Sequence, residues 1–197
     1  MGTGAEASFF VWGAPGAGKT HLLRAAVALA ADSGVACRYC AQAALIDADS
    51  TFLDTGVVAI DRVDEADAAA AARVFTLYNA LKQSGGRVVA ASRTPLAALP
   101  LREDLRTRLG WGLVYEALPL ADEEKPEALA TYARQRGFDL SSEVIDYLLR
   151  HGRRDMPSLL ATLAALDRFS LASKRALTVR LVKEWLQQDL GLKDTRK

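Results

Sequence analysis

The chain is poor in the residues that carry covalent or metal chemistry. Its 197 residues include two cysteines and two histidines. So few cysteines exclude a disulfide framework. No run is long and apolar enough to span a bilayer, and the start lacks a signal-peptide pattern, so a cytoplasmic location without membrane contact is expected. The formal net charge is +1, which gives no bulk field for DNA or an anionic surface. Direct sequence-specific DNA binding is not expected.

The cysteines stand as Cys37-Arg38-Tyr39-Cys40, the spacing of half a zinc site or of a redox pair. Residues 35–41 read as a strand, however, where positions three apart face opposite sides. There is no second pair, and His21 and His151 lie far away in sequence. Both cysteines read as reduced structural residues.

Hydrophobic residues make up 50% of the chain, enough for a sizeable core. Chains of this class bury roughly 70% of their unfolded surface. The length suits one domain with a small second lobe.

The most informative stretch is Gly13-Ala14-Pro15-Gly16-Ala17-Gly18-Lys19-Thr20, a complete Walker A loop. It follows the apolar run Ser8-Phe9-Phe10-Val11-Trp12 and precedes a helical run rich in alanine and leucine. Strand, glycine loop and helix are the context the motif needs. Glycines let successive backbone N–H groups turn inward around a phosphate, and the positive end of the helix points the same way. Lys19 is expected to reach the β- and γ-phosphates, and Thr20 to ligate Mg²⁺. The bound molecule is then a nucleoside di- or triphosphate, ADP or ATP, with His21 at the end of the contact set.

Short apolar strands are expected near 9–12, 35–40, 57–60, 88–91 and 113–118, and helices near 19–31, 66–83 and 105–109. Apolar strands alternating with helices predict an α/β parallel sheet covered on both faces. From Ala121 the pattern is helix after helix, near 123–136, 142–150, 156–173 and 179–189. Asp122 and Ser141 are candidate N-caps, and Gly137, Gly152 and the polar stretch around Lys174 are breaks. Residues 1–120 read as a nucleotide-binding domain and 121–197 as a helical lid, with Pro119 at the joint.

Val57-Val58-Ala59-Ile60-Asp61 is an apolar strand ending in a carboxylate, a Walker B pattern. Such a carboxylate lies beside the Walker A threonine, so Thr20 and Asp61 are the candidate metal ligands. The following residue is Arg62, and a cation cannot act as a general base. Asp64 and Glu65 could substitute only if the turn brings them back. The pattern favours nucleotide binding over fast turnover.

Several further stretches resemble the AAA+ domain of DnaA-type replication initiators: Gly18-Lys19-Thr20-His21-Leu22-Leu23, Leu77-Tyr78-Asn79-Ala80-Leu81, Gly85-Gly86-Arg87-Val88-Val89, Ser92-Arg93-Thr94-Pro95, Leu105-Arg106-Thr107-Arg108-Leu109-Gly110-Trp111-Gly112 and Arg154-Asp155-Met156-Pro157-Ser158-Leu159-Leu160. The resemblance covers nearly the whole chain. It implies a P-loop AAA+ sheet with a small C-terminal helical lid. It makes Arg108 the arginine finger, the residue that acts on a neighbouring subunit's nucleotide, and Arg154 the sensor 2 arginine of the lid. Ser92-Arg93 falls in the sensor 1 region, where a small polar or acidic residue would be usual, so Arg93 departs from the pattern.

In size and layout the chain looks like the Hda-type regulatory inactivators of DnaA, which are essentially the AAA+ module alone. That likeness implies a partner, ATP-bound DnaA, whose hydrolysis Arg108 would trigger. It also implies docking on the DNA-loaded sliding clamp, and a homo-oligomer is a further expectation. The glutamine-leucine clamp peptide usual near the start is not visible in Met1–Ala7; Gln42-Ala43-Ala44-Leu45-Ile46 echoes it loosely but reads as core. Two alternatives stand beside this one. A DnaA-related helicase-loader ATPase would need a competent hydrolysis site of its own and a helicase-binding segment. A small P-loop phosphotransferase would need a catalytic base and an arginine-rich acceptor lid. A module that only senses ADP against ATP differs from the first reading only in whether Arg108 acts in trans.

Overall fold

The structure, a computed structural model, describes residues 8–46 and 56–194, with side chains described up to 187. The stretch Met1–Ala7 lies outside the described residues. The chain divides into two compact units, Met1–Pro119 and Leu120–Lys197.

The first unit runs β1 (Ser8–Trp12), α1 (Lys19–Asp32), β2 (Cys37–Cys40), β3 (Val57–Ile60), α2 (Ala68–Ser84), β4 (Arg87–Ser92), α3 (Glu103–Leu109) and β5 (Leu113–Glu116). All strand pairs are parallel, in the order β2-β3-β4-β1-β5. Single 3-10 turns at Ala43–Leu45, Val63–Glu65 and Leu96–Ala98 follow β2, β3 and β4.

Alternation along the strands sorts the core into two layers. Phe10, Val58, Ile60, Val88 and Ala90 pack with Val74, Leu77, Tyr78 and Leu81 of α2 and Leu105 and Leu109 of α3. Their strand neighbours Ala59, Val89 and Ala91 face the other way, with Tyr39, against Leu23 and Val27 of α1. The small Ala59 and Ala91 let α1 approach closely. The β1–β5 end of that face stays open, as a groove of about 820 Å³ lined in part by Phe9, Val11, Leu22, Leu29 and Tyr115.

Local chemistry sets the element ends. The carboxylate of Asp67 accepts from the Ala70 N–H at 2.7 Å, which starts α2 two residues later than the apolar pattern alone suggests. Gly85, at φ 80°, ends it. Strand β2 starts at Cys37 rather than 35, because the Val35 N–H still donates to the Ala30 carbonyl in the α1 terminus. Cys37 is half-buried and Cys40 buried, on opposite faces and in no disulfide, and the Cys37 thiol donates to the Val27 carbonyl at 3.2 Å.

The second unit is helical: α4 (Lys125–Gln135), α5 (Ser142–His151), α6 (Met156–Ser173) and α7 (Val179–Asp194). Leu129, Val144, Leu148, Leu159, Leu163, Leu166 and Val182 form its core. Ser141 caps α5 and Asp155 caps α6. Asp122 is not a cap, contrary to its place in the sequence. Its carboxylate instead accepts from Lys125 at 2.6 Å and Arg154 at 3.5 Å, and no side chain caps α4.

Candidate functional site

The parallel sheet brings three loops to one edge. By register Trp12 lies beside Ser92, and Ile60 beside Ala90, so the C-terminal ends of β1, β3 and β4 are nearly level. The Walker A loop follows β1, Asp61 follows β3, and Arg93 follows β4. Loops at the carboxyl ends of parallel strands, where the strand order reverses, are where such folds bind ligands.

The loop itself requires glycine at fixed places. Gly13 (φ 156°), Gly16 (φ 85°) and Gly18 (φ 87°) all have positive φ. A Cβ on Gly13 would also run into the Ala117 carbonyl oxygen. Gly18 is the N-cap of α1, and no side chain caps that end. The first turn of α1 carries no acidic residue. Its first N–H groups, which have no acceptor inside the helix, therefore keep their partial positive charge for an anion.

Lys19 is buried and curls back over the loop, donating from Nζ to the carbonyls of Gly13 at 2.7 Å and Ala14 at 2.9 Å. Burial pushes its pKa below the ordinary lysine value, while the charges of Asp61 and Asp64 work in the opposite direction. Thr20 donates through Oγ1 to Asp61 Oδ2 at 2.5 Å. Asp61 is buried, 4% exposed, and it also accepts from the Tyr39 hydroxyl at 3.0 Å and from the Arg62 N–H at 2.9 Å. Burial, then the negative charge of Asp61, raises the Tyr39 pKa and keeps the phenol a donor. A hydroxyl and a carboxylate on adjoining oxygens form the hard-oxygen set that suits Mg²⁺. Among the described residues no group of three or more His, Cys, Asp or Glu could hold a metal by itself. A metal here would complete its shell with phosphate and water, as Mg²⁺ commonly does.

The two arginines of the site have their own partners. Arg62 sits in the left-handed region at φ 49° and sends Nε to the Ala41 carbonyl at 3.2 Å. Arg93 pairs with Asp64 at 2.8 Å and Glu65 at 3.1 Å. The turn after β3 does bring both acids back, but it delivers Asp64 to Arg93, and Glu65 to Arg93 and, at 3.6 Å, to Arg62.

Arg108 lies on α3 and is turned onto α2. Its Nε donates to Asn79 Oδ1 at 3.0 Å and one terminal nitrogen donates to the Asp104 carbonyl at 3.0 Å. The guanidinium sits 4.1 Å from the Phe75 ring centre and 5.5 Å from that of Trp111. Phe75, Asn79 and Lys82 share one face of α2 at helical spacing, and Lys82 lies over Trp111 at 4.2 Å. Arg154 lies just before α6, exposed, with Asp122 as its partner.

So the fold brings Gly13, Ala14, Pro15, Gly16, Ala17, Gly18, Lys19, Thr20, His21 and Asp61 to one strand edge, while Arg108 occupies the α2–α3 surface. Sequence reasoning missed Tyr39. Its contact with Asp61 depends on the β2–β3 register, which sets Tyr39 beside Ala59, and no motif marks that pairing.

Residues 122–186 match the family model "Hda, lid domain". Among solved structures, the chain is similar to domain III of the Thermotoga maritima replication initiation protein DnaA, at TM-score 0.80 and 17% identity over 94% of this chain and 85% of that one. It is similar to AMPPCP-bound DnaA from Aquifex aeolicus at TM-score 0.65 and 20% identity, spanning 83% of this chain but 56% of that one. The Thermotoga maritima RuvB Holliday junction branch migration motor follows at TM-score 0.64 and 15% identity, over 91% of this chain and 61% of that one. The chain therefore has the fold of these AAA+ structures, and residues 122–186 of its helical unit are similar to the Hda lid.

Proposed function

We propose that the chain is a nucleotide-binding AAA+ regulator of DNA replication initiation that works on ATP-bound DnaA. The observation that carries this reading is the Hda-type lid at residues 122–186, on a chain whose Lys19, Thr20 and Asp61 form a Walker site. The AMPPCP complex of the Aquifex aeolicus protein supports a nucleotide at this loop. ADP or ATP is held by the loop N–H groups from Gly13 to His21 and by Lys19. Mg²⁺ is held by Thr20 and Asp61, and when bound it neutralises phosphate charge. Arg154 stays in this reading as the sensor 2 arginine of the lid.

The chain's own turnover is slow, because the position after Asp61 is a cation already committed to the Ala41 carbonyl. The chemistry is carried instead by Arg108 acting on a neighbour's ATP. Its planar fork can neutralise charge on the γ-phosphate, an effect of roughly 10³–10⁵ in rate in arginine-finger systems. Phe75, Asn79 and Trp111 hold the guanidinium at the protein surface and limit the entropy lost on engagement. A cytoplasmic location, docking on the DNA-loaded clamp and self-association belong to the same reading. Among the described residues no helix is long and apolar enough to cross a membrane.

The test is ATP hydrolysis by purified ATP-loaded DnaA, with and without this chain and with and without clamp on DNA. Faster hydrolysis on addition is expected. Robust steady-state hydrolysis by the chain alone, with no effect on DnaA, would favour a helicase-loader ATPase.

A further inference from the structure

Arg93 holds both oxygens of Asp64. Its backbone N–H donates to Oδ1 at 3.3 Å and its Nε to Oδ2 at 2.8 Å. A terminal nitrogen of the same guanidinium lies 3.1 Å from Glu65 Oε1. The Asp64 side chain is 7% exposed beneath an arginine that is 51% exposed. This arrangement follows from the turn after β3. Left-handed Arg62 and the single 3-10 turn Val63–Glu65 fold the chain back, so that Asp64 meets the end of β4.

Asp64 lies at the sheet edge that carries the Walker A loop, because it meets Arg93, the residue after β4, whose end is level with that of β1. Asp61 and Asp64 are the carboxylates that bear on the Lys19 ammonium, and Arg93 opposes them. Asp61 is already committed to Thr20, Tyr39 and the Arg62 N–H. Asp64 is thus a carboxylate at that edge outside the Thr20–Asp61 pair, and Arg93 lies across it.

From this we infer that Arg93 is a positioning residue that keeps Asp64 from acting as the general base for hydrolysis of a nucleoside triphosphate at the loop. The inference rests on the nucleotide-site reading above. In the withheld step a water oxygen bonds to the γ-phosphorus while the bond from that phosphorus to the β–γ bridging oxygen breaks. The carboxylate takes one proton from the water. The products are nucleoside diphosphate and inorganic phosphate. Asp64 can serve only if a water reaches it, and Arg93 already donates to both of its oxygens.

The experiment compares the native chain with Arg93→Ala, Arg93→Lys and the double variant Arg93→Ala/Asp64→Asn. Single-turnover ATP hydrolysis with Mg²⁺ is measured beside binding of a fluorescent ATP analogue. Arg93→Ala is expected to hydrolyse about 100-fold faster than native, the low end of the range general bases supply. Arg93→Lys, which keeps a cation over Asp64, stays slow, and the double variant loses the gain. A readout without nucleotide is the hydrogen exchange of the Arg93 Nε–H by NMR, slow in the native chain and fast in Asp64→Asn. The inference is overturned if Arg93→Ala binds the analogue but hydrolyses no faster, if the gain survives Asp64→Asn, or if the native Nε–H exchanges freely. If the native chain binds no analogue, the nucleotide-site reading itself fails and this inference falls with it.

Discussion

Thr20 donates its hydroxyl hydrogen to Asp61 across 2.5 Å, although the two are 41 residues apart in sequence. The contact joins the first turn of α1 to the tip of β3. It exists because β3 is two strands from β1 in a parallel sheet whose ends are level. The same edge carries Lys19 over the glycine loop. The proposed nucleotide site is built from this pair of loops.

Removing the cation should weaken that binding. Lys19→Ala is expected to lower nucleotide affinity about 10- to 100-fold, since hydrogen bonds to charged groups contribute roughly 1.5–3 kcal/mol. Titration with a fluorescent ADP or ATP analogue measures it. Unchanged affinity would show that the loop does not hold phosphate.

Metal dependence should pass through Asp61. Chelating Mg²⁺ is expected to weaken ATP binding by the native chain, and Asp61→Asn should remove most of that dependence. Tyr39→Phe, which removes one donor from Asp61 Oδ2, should leave metal dependence in place and shift it modestly. Equal sensitivity to chelation in native and Asp61→Asn protein would place the metal elsewhere.

Lys174 ends α6 at φ 52°, in the left-handed region, and its N–H donates to the carbonyls of Leu171 and Ser170. Glycine takes that conformation without a Cβ penalty. Lys174→Gly is expected to stabilise the chain by about 1 kcal/mol. Denaturant unfolding at fixed pH measures it, and a loss of stability would contradict the cap geometry.

Acid should act on the helical unit through Asp155 and Asp122. Hydrogen bonds from Ser158 hold the Asp155 carboxyl below the usual range, and the Lys125 ammonium does so for Asp122. Both groups have a lower pKa folded than unfolded. Their stabilising contribution is present above the ordinary carboxylate value of about 4 and is lost as pH falls below it. Tm should therefore drop on acidification. Asp155→Asn, which can still cap α6 but does not titrate, should drop less. An identical slope for the variant would exclude the Asp155 contribution.

Much of this was legible in the sequence. The Walker loop, the strand before it and the helix after it could be placed because glycine spacing and apolar runs are local signals. Helix α6 could be bounded at Met156 and Ser173 because Gly152 and the polar stretch around Lys174 flank it in the chain. What could not be read was pairing between distant residues. The partners of Arg93, Asp61 and Arg108 depend on strand order and on which face of α2 meets α3. Asp122 shows the same limit on a smaller scale. It has the residue type of a cap, but Lys125 and Arg154 lie within its reach and the carboxylate goes to them.

The most direct measurement is the rate of ATP hydrolysis by ATP-loaded DnaA in the presence of native chain or Arg108→Ala, with clamp-loaded DNA supplied. If Arg108 acts in trans, the native chain accelerates hydrolysis, while Arg108→Ala binds ADP as tightly as native and accelerates it little or not at all. Full acceleration by an Arg108→Ala protein that still binds ADP would contradict the role given to Arg108.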